Sequence, residues 1–177
     1  AGTLLFPVSY IFGDILTVVY GYKKAQRVIW TGFAALALSA LVFWAVSALP
    51  GEATWQEYAG QAAYDAILGG MSNGGIVLAS LAAYWAGSFS NAFVLSRLKV
   101  ITGGKFLWLR TIGSTLVGEA VDTAAFVAVA SLAGIFPWEL FLSLTVTNYV
   151  FKVGVEVVMT PITYQVVRWL KKAEGED

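Results

Sequence analysis

Cysteine and histidine are both absent from this chain of 177 residues. That excludes a disulfide framework, a cysteine nucleophile, a histidine general base and the usual zinc and haem ligand sets. Charge is scarce as well. Only 12% of residues are Asp, Glu, Lys or Arg, about half the share of an ordinary soluble domain. Eleven cations balance eleven anions, so there is no basic excess to bind nucleic acid by counterion release. What is abundant is apolar: 58% of residues are hydrophobic and mean hydropathy is +0.73. Nothing would keep so apolar a surface in water. The composition points to an all-α integral membrane protein whose first partner is the lipid bilayer.

A membrane-crossing helix needs about 20 mostly apolar residues. Five stretches meet or approach that length: 3–20, 28–49, 76–95, 107–135 and 138–170. They are continuous apolar runs, which argues against the short alternating strands of a membrane barrel. The expected architecture is one transmembrane domain over 1–177, a bundle of five visible helices. The last two stretches exceed the core thickness and should tilt or kink, with Pro161 a break or kink in the fifth. Nine of the eleven cations lie in connections that fall on one side if every stretch crosses: Lys23, Lys24 and Arg27; Arg97, Lys99 and Lys105; Arg168, Lys171 and Lys172. The opposite connections carry Glu52, Glu57, Asp65 and Glu139 and no cation. The positive-inside rule then puts the C-terminus in the cytoplasm and Ala1 outside. A sixth helix before Ala1 would complete an even bundle. In the long outer connection, 50–75, Tyr58, Ala62, Ala63 and Ile67 recur at helical spacing and suggest an interfacial helix. Gly69-Gly70 and Gly74-Gly75 read as flexible punctuation.

Six ionisable residues remain inside the apolar stretches: Asp14, Arg110, Glu119, Asp122, Lys152 and Glu156. Intramembrane charge is costly enough that a functional role is the default reading. Arg110 is close enough to its helix start to snorkel, so it is an anchor or a site residue. Lys152 lies 14 residues past Trp138, about 21 Å along a helix axis, and reaches neither surface. Asn148, Lys152 and Glu156 recur every four residues as one polar stripe. Thr111, Ser114 or Thr115, Gly118 or Glu119, and Asp122 form another. Lys152 either pairs with Glu156 within its own helix or faces the other stripe. Glu119 and Asp122, one turn apart with too few cations, leave an acid that holds a proton or awaits a donor ligand. Ala83 and Gly87 suit close helix packing, and Ser90 and Asn91 on the same helix suit polar contacts.

These residues also carry a resemblance. The run Phe6-Pro7-Val8-Ser9-Tyr10-Ile11-Phe12-Gly13-Asp14-Ile15-Leu16-Thr17 with Tyr20-Gly21-Tyr22 resembles the signature of the queuosine-precursor transporters, also called the vitamin uptake transporter family. So do Ser90-Asn91-Ala92-Phe93, Leu109-Arg110-Thr111, Gly118-Glu119-Ala120-Val121-Asp122-Thr123 with Phe126, and Lys152 to Glu156 followed by Thr160-Pro161. The resemblance implies six helices, similar to energy-coupling-factor substrate-binding subunits, in a prokaryotic inner membrane. It implies uptake of 7-cyano- and 7-aminomethyl-7-deazaguanine. Three positions depart from the pattern: Val18 stands where an acid is expected, Gln26 where a base is expected, and Gly75 where an arginine is expected. For such a substrate, Glu119 or Asp122 would accept from the ring N–H and amino edge, and Asn91 or Asn148 would face the carbonyl. Asp14 or Glu156 would meet the cationic aminomethyl group. Phe6, Tyr10, Phe126 or Tyr149 would stack on the ring. Ser90, Ser114 and Lys152 complete the candidate set. No cofactor and no metal are expected. No phosphate-binding loop occurs, so the chain cannot itself hydrolyse ATP. Two modes stay open: a solitary transporter, or a binding subunit that needs ATPase partners. Homodimerisation is a further possibility. An intramembrane hydrolase is disfavoured, because Phe12-Gly13-Asp14 lacks the second glycine of the aspartyl-protease motif.

Overall fold

The computed structural model describes residues 2–175, with side chains described outside 2–8 and 70–72. Phe6, a candidate stacking residue, therefore lies outside the described side chains. Among the described residues there is no strand. The helices are α1 (Gly2–Tyr20), α2 (Tyr22–Ser47), α3 (Ala53–Ala59), α4 (Gln61–Ser72), α5 (Gly74–Ile101), α6 (Leu107–Leu132) and α7 (Phe141–Ala173), the last preceded by a single 3-10 turn, Trp138–Leu140. Four helical stretches are long and apolar enough to cross a membrane: Tyr22–Ser47, Gln61–Ile101, Leu107–Leu132 and Trp138–Ala173. The described part of α1, Ser9–Tyr20, is a shorter apolar helix.

The polarity of the bundle is that of a protein immersed in lipid. Leu38, Leu41 and Trp44 of α2 are more than 60% exposed, whereas Asp14, Thr111, Ser114 and Glu119 are fully buried. Apolar side chains outside and polar ones within suit a solvent that cannot hydrogen-bond. α6 is the central helix, with its most extensive packing against α5 and then α7. α1 lies against α7 and α5, and α2 against α5 and α4.

The α5–α6 crossing is held close by two glycines in reciprocal notches. A Cβ on Gly118 would meet Asn91 Cβ at 2.6 Å, and one on Gly87 would run into Asp122 Cβ at 2.5 Å and the Tyr10 hydroxyl. Only residues without a side chain allow backbones this near. An apolar cluster of Ile11, Ile15, Val18, Val19, Leu95 and Val167 packs one end of the bundle. Val18, one of the three departures, is therefore a well-buried core residue. At Gly75, another departure, an added Cβ would lie 2.8 Å from Ala133 Cβ and 2.9 Å from Ile135 Cδ1, so this backbone has no room for an arginine.

Three contacts bring one set of helix ends together. Tyr20 Oη donates to Glu174 at 2.8 Å, Arg110 Nη1 donates to Gly104 O at 2.9 Å, and Trp108 N donates to the Tyr164 hydroxyl. The nine connection cations thus gather at a single end of the bundle, as the alternation of charge along the chain requires.

Several expectations need correction. The connection 50–75 is almost wholly helical, but not as one interfacial helix. Gly60 takes φ +82° and breaks it into α3 and α4, which separates Tyr58 from Ala62, Ala63 and Ile67. Glu52 caps α3 by accepting from Trp55 N at 2.9 Å, and Tyr64 Oη ties α4 to Val46 O. Gly69-Gly70 and Gly74-Gly75 lie inside helices, with Asn73 between them capping α5. The fourth stretch ends as a helix at Leu132, not 135. Helix α7 runs through Pro161 without breaking, although the missing N–H leaves one carbonyl of the preceding turn without its helical donor.

Candidate functional site

Helix α6 supplies the polar wall of the bundle interior. Thr111, Ser114, Thr115, Glu119, Asp122 and Thr123 are all buried, at the spacing that keeps one face of a helix inward. Helix α7 runs antiparallel to it and carries Asn148, Lys152 and Glu156 at i,i+4 steps. The two stripes do meet, and the meeting decides the partner of Lys152. Its Nζ lies 3.0 Å from Glu119 Oε2, bonds Asp122 Oδ2, and donates to Thr123 Oγ1 at 3.4 Å. The amine therefore bridges α7 to α6. The intrahelical Lys152–Glu156 pair is not formed, because cross-helix carboxylates reach the amine from the opposite wall. Glu156 is 1% exposed and neither of its oxygens has a hydrogen-bond partner among the described residues. Glu156 is thus an acid without a cation among the described residues, and neither member of the α6 pair is.

A second polar contact lies where α1 and α5 meet the buried face of α6. Asn91 Nδ2 of α5 donates to Asp14 Oδ1 of α1 at 2.6 Å, with both residues buried. Tyr10, one turn earlier on α1, donates to Gly118 O at 3.4 Å, seated at the glycine notch.

Between α5, α6 and α7 lies a cavity of about 390 Å³, within the range of about 300–1,000 Å³ usual for small-ligand sites. Its polar wall is Asp122, Thr123, Asn148 and Lys152. Its apolar wall includes Phe126, Phe136, Val127 and Leu144, with Ser80 and Ala83 contributed by α5. Phe126 and Phe136 meet at a tilt of 58° with ring centroids 6.3 Å apart. Asn148 Nδ2 is committed to Leu144 O at 2.8 Å, which leaves its carbonyl oxygen as the group on offer. Asp122 gives Oδ2 to Lys152, while its buried Oδ1 has no partner. The cavity is thus lined by a carboxylate with one unspent buried oxygen, a lysine and an aromatic pair.

Four of the candidate residues line this cavity: Asp122, Phe126, Asn148 and Lys152. Glu119 stands behind it, holding Lys152. Asp14, Asn91, Tyr10 and Glu156 form the neighbouring polar layer. Ser90 does not line the cavity. Ser114 spends its hydroxyl on Thr111 O, 2.9 Å away in its own helix. Arg110 resolves as an anchor, through its bond to the 102–106 connection. Sequence reasoning passed over Phe136 and Leu144. Phe136 lies in a connection next to Pro137, where no helical pattern flags it. Leu144 sits one turn before Asn148 and was readable from that spacing.

Comparison with known proteins gives the arrangement its context. Residues 1–166 match the family model described as "Putative vitamin uptake transporter". The chain belongs to that family. It is similar to a "Probable queuosine precursor transporter" of Bacillus subtilis (strain 168), 28% identical over 174 residues that span 98% of this chain and 73% of the relative. It is also 27% identical over 159 residues to a "Queuosine precursor transporter" of Escherichia coli (strain K12), spanning 89% of this chain and 67% of that protein. No solved structure matches. As a member of the vitamin uptake transporter family the chain is a transporter and not an enzyme, and its apolar helices make it a multi-pass membrane protein.

Proposed function

We propose that this chain takes up queuosine precursors, 7-cyano- and 7-aminomethyl-7-deazaguanine, through the cavity between α5, α6 and α7. The observation that carries the reading is Asp122. Its Oδ1 is a buried acceptor on the cavity wall with no donor of its own. A deazaguanine supplies two adjacent donors, a ring N–H and an amino group, and a carboxylate is the side chain that accepts from such an edge. The Asn148 carbonyl oxygen is a second acceptor for the amino group, and the Lys152 ammonium meets the ring carbonyl. Phe126 and Phe136 take the flat ring between or against their faces. The aminomethyl form adds a cation, which the surplus of acids over amines around Lys152 accommodates.

In this reading α1 is the fifth span of one transmembrane domain. The end that gathers nine cations faces the cytoplasm, and the C-terminus with it. The similarity of this chain to the B. subtilis and E. coli relatives supports the substrate class. Purified protein tests it by thermal shift with the two deazaguanines against guanine, biotin and riboflavin. Selective stabilisation by a deazaguanine is expected. Asp122→Asn should weaken that binding by about 1.5–3 kcal/mol, the range for a hydrogen bond to a charged group. Stabilisation by a vitamin alone would overturn the substrate and keep the fold. Co-purification with ATPase subunits would favour an energised binding subunit over a solitary transporter.

A further inference from the structure

Four acids, Asp14, Glu119, Asp122 and Glu156, are buried against one buried amine, since Arg110 is spent on a loop carbonyl. Lys152 and its two acids belong to the cavity. Asp14 and Glu156 do not line it, and substrate recognition leaves them unused. Asp14 Oδ1 accepts from Asn91, but Asp14 Oδ2 has no partner. Glu156 lies in α7, which packs against α1 with Met159 next to the cluster that holds Ile15, and among the described residues neither of its oxygens has a partner. The Asn91 amide oxygen, in a side chain only 3% exposed and fixed beside Asp14, is also without a donor. Buried acceptors of α1, α5 and α7 therefore lie in one polar layer, and among the described residues no donor beyond the Asn91 amide bonds them. Such a place needs a donor and a positive charge. Among the described residues no three acids converge as a metal ion requires. A proton supplies both needs and demands no coordination sphere.

We infer that Asp14 and Glu156, oriented by Asn91, form a proton-binding site behind the substrate cavity. The proton comes from bulk water and resides on Asp14 Oδ2 or on a Glu156 oxygen. There it is donated to the partner carboxylate or to Asn91 Oδ1, and only an O–H bond forms or breaks. The groups that face the pair are few. Asn91 comes from α5 and Glu119 from α6, the latter held by Lys152 one turn before Glu156 on α7. Tyr10, one turn before Asp14 on α1, donates to Gly118 O. The cations of α2, Lys23, Lys24 and Arg27, are exposed at its far end. Glu119 thus stands between the proton pair and Lys152 on the cavity wall. Through it a proton on the pair and a ligand in the cavity act on each other. That link, unlike the proton site itself, rests on the cavity being the substrate site.

Infrared titration of the purified chain in lipid, with no substrate added, tests the site. A carboxylic-acid carbonyl band is expected at neutral pH, and Asp14→Asn and Glu156→Gln should each remove about half of it or more. Glu139→Gln, at the outer connection, should leave it unchanged. Absence of the band in the parent protein, or its persistence in both variants, would overturn the proposal. Proteoliposomes test the link. An acid-outside gradient should drive accumulation of labelled 7-cyano-7-deazaguanine, and a protonophore should abolish it. Both variants should keep equilibrium exchange of the base and lose accumulation at least tenfold. Accumulation that follows a sodium gradient, or survives in both variants, would overturn proton coupling. If the parent protein exchanges no deazaguanine, the substrate reading fails, and the infrared band still decides the proton site.

Discussion

Replacing Lys152 by methionine isolates the role of the buried amine. Lys152 is 7% exposed, and the two carboxylates that hold it, Glu119 and Asp122, are 0% and 1% exposed. Met fills a similar volume, so the perturbation is one of charge more than of packing. Breaking a buried pair from one side costs about 3–5 kcal/mol, because the remaining charge is left without compensation. Here two acids are orphaned, so the upper half of that range is expected. Reversible unfolding of the purified protein in mixed micelles, followed by tryptophan fluorescence, measures it. Glu156→Gln is the internal comparison. It removes an acid that holds no cation and keeps its volume, so its cost should fall well below that of Lys152→Met or become a gain. Combining Glu119→Gln and Asp122→Asn with Lys152→Met should recover most of the loss, since an uncharged replacement of a buried ion cluster is often neutral. Equal cost for Lys152→Met and Glu156→Gln would refute the partner assignment, as would an unimpaired Lys152→Met.

Gly118→Ala should destabilise by about 1–3 kcal/mol, because its Cβ meets Asn91 at 2.6 Å and must push α5 from α6. Gly154→Ala in α7, where the new methyl meets nothing, should instead stabilise by about 0.5–1 kcal/mol, and the same unfolding assay reads both. Gly75→Arg should lower the melting temperature, since Ala133 and Ile135 occupy the space that its first carbon needs. Phe136→Ala should leave unfolding nearly unchanged but raise the deazaguanine Kd, read by calorimetric titration; an unchanged Kd would remove Phe136 from the ligand's walls. Glu52 is held below the usual carboxylate range by the backbone N–H groups of Thr54 and Trp55. The cap's contribution is therefore present above the ordinary carboxylate range and is lost as pH falls through the lowered value. Protection of the Trp55 amide from hydrogen exchange should follow that course and be absent at all pH in Glu52→Ala.

The expectations that succeeded and those that failed divide along physical lines. Apolar runs set the helices, because a lipid-facing helix needs only length and composition, and α1, α2, α5, α6 and α7 each fall on an expected stretch. The stripes of α6 and α7 were legible because one helix fixes its own side-chain spacing. What a stripe faces is a property of two helices, and no period records it. Lys152 had an acid one turn away in Glu156 and took two from across the interface instead. The i,i+4 neighbour is available to a flexible lysine at any surface position. In a packed bundle, however, the amine is already aimed across the interface, at the stretch of α6 that carries Glu119 and Asp122. The outer connection failed for a different reason. Its apolar spacing is genuinely helical on each side of Gly60, but a single positive φ resets the phase of every residue beyond it.

The same distinction explains why the acids are informative. Were Lys152 and Glu156 paired within α7, the helix would be neutral there and the interior would hold only a structural ion pair. Because Lys152 crosses to α6, a single amine serves Glu119 and Asp122, and among the described residues no cation pairs with Asp14 or Glu156. A bilayer interior does not sustain such an imbalance for packing alone, since amides or apolar residues would hold these helices together at lower cost. The imbalance is tolerable if positive charge arrives from outside the chain, as a bound ligand, a proton or both. A transporter is a protein whose cargo supplies what its resting interior lacks. On the proposed reading, Asp122 on the cavity wall and Glu156 behind it divide that deficit between two ligands, one that fills a cavity and one small enough to need none.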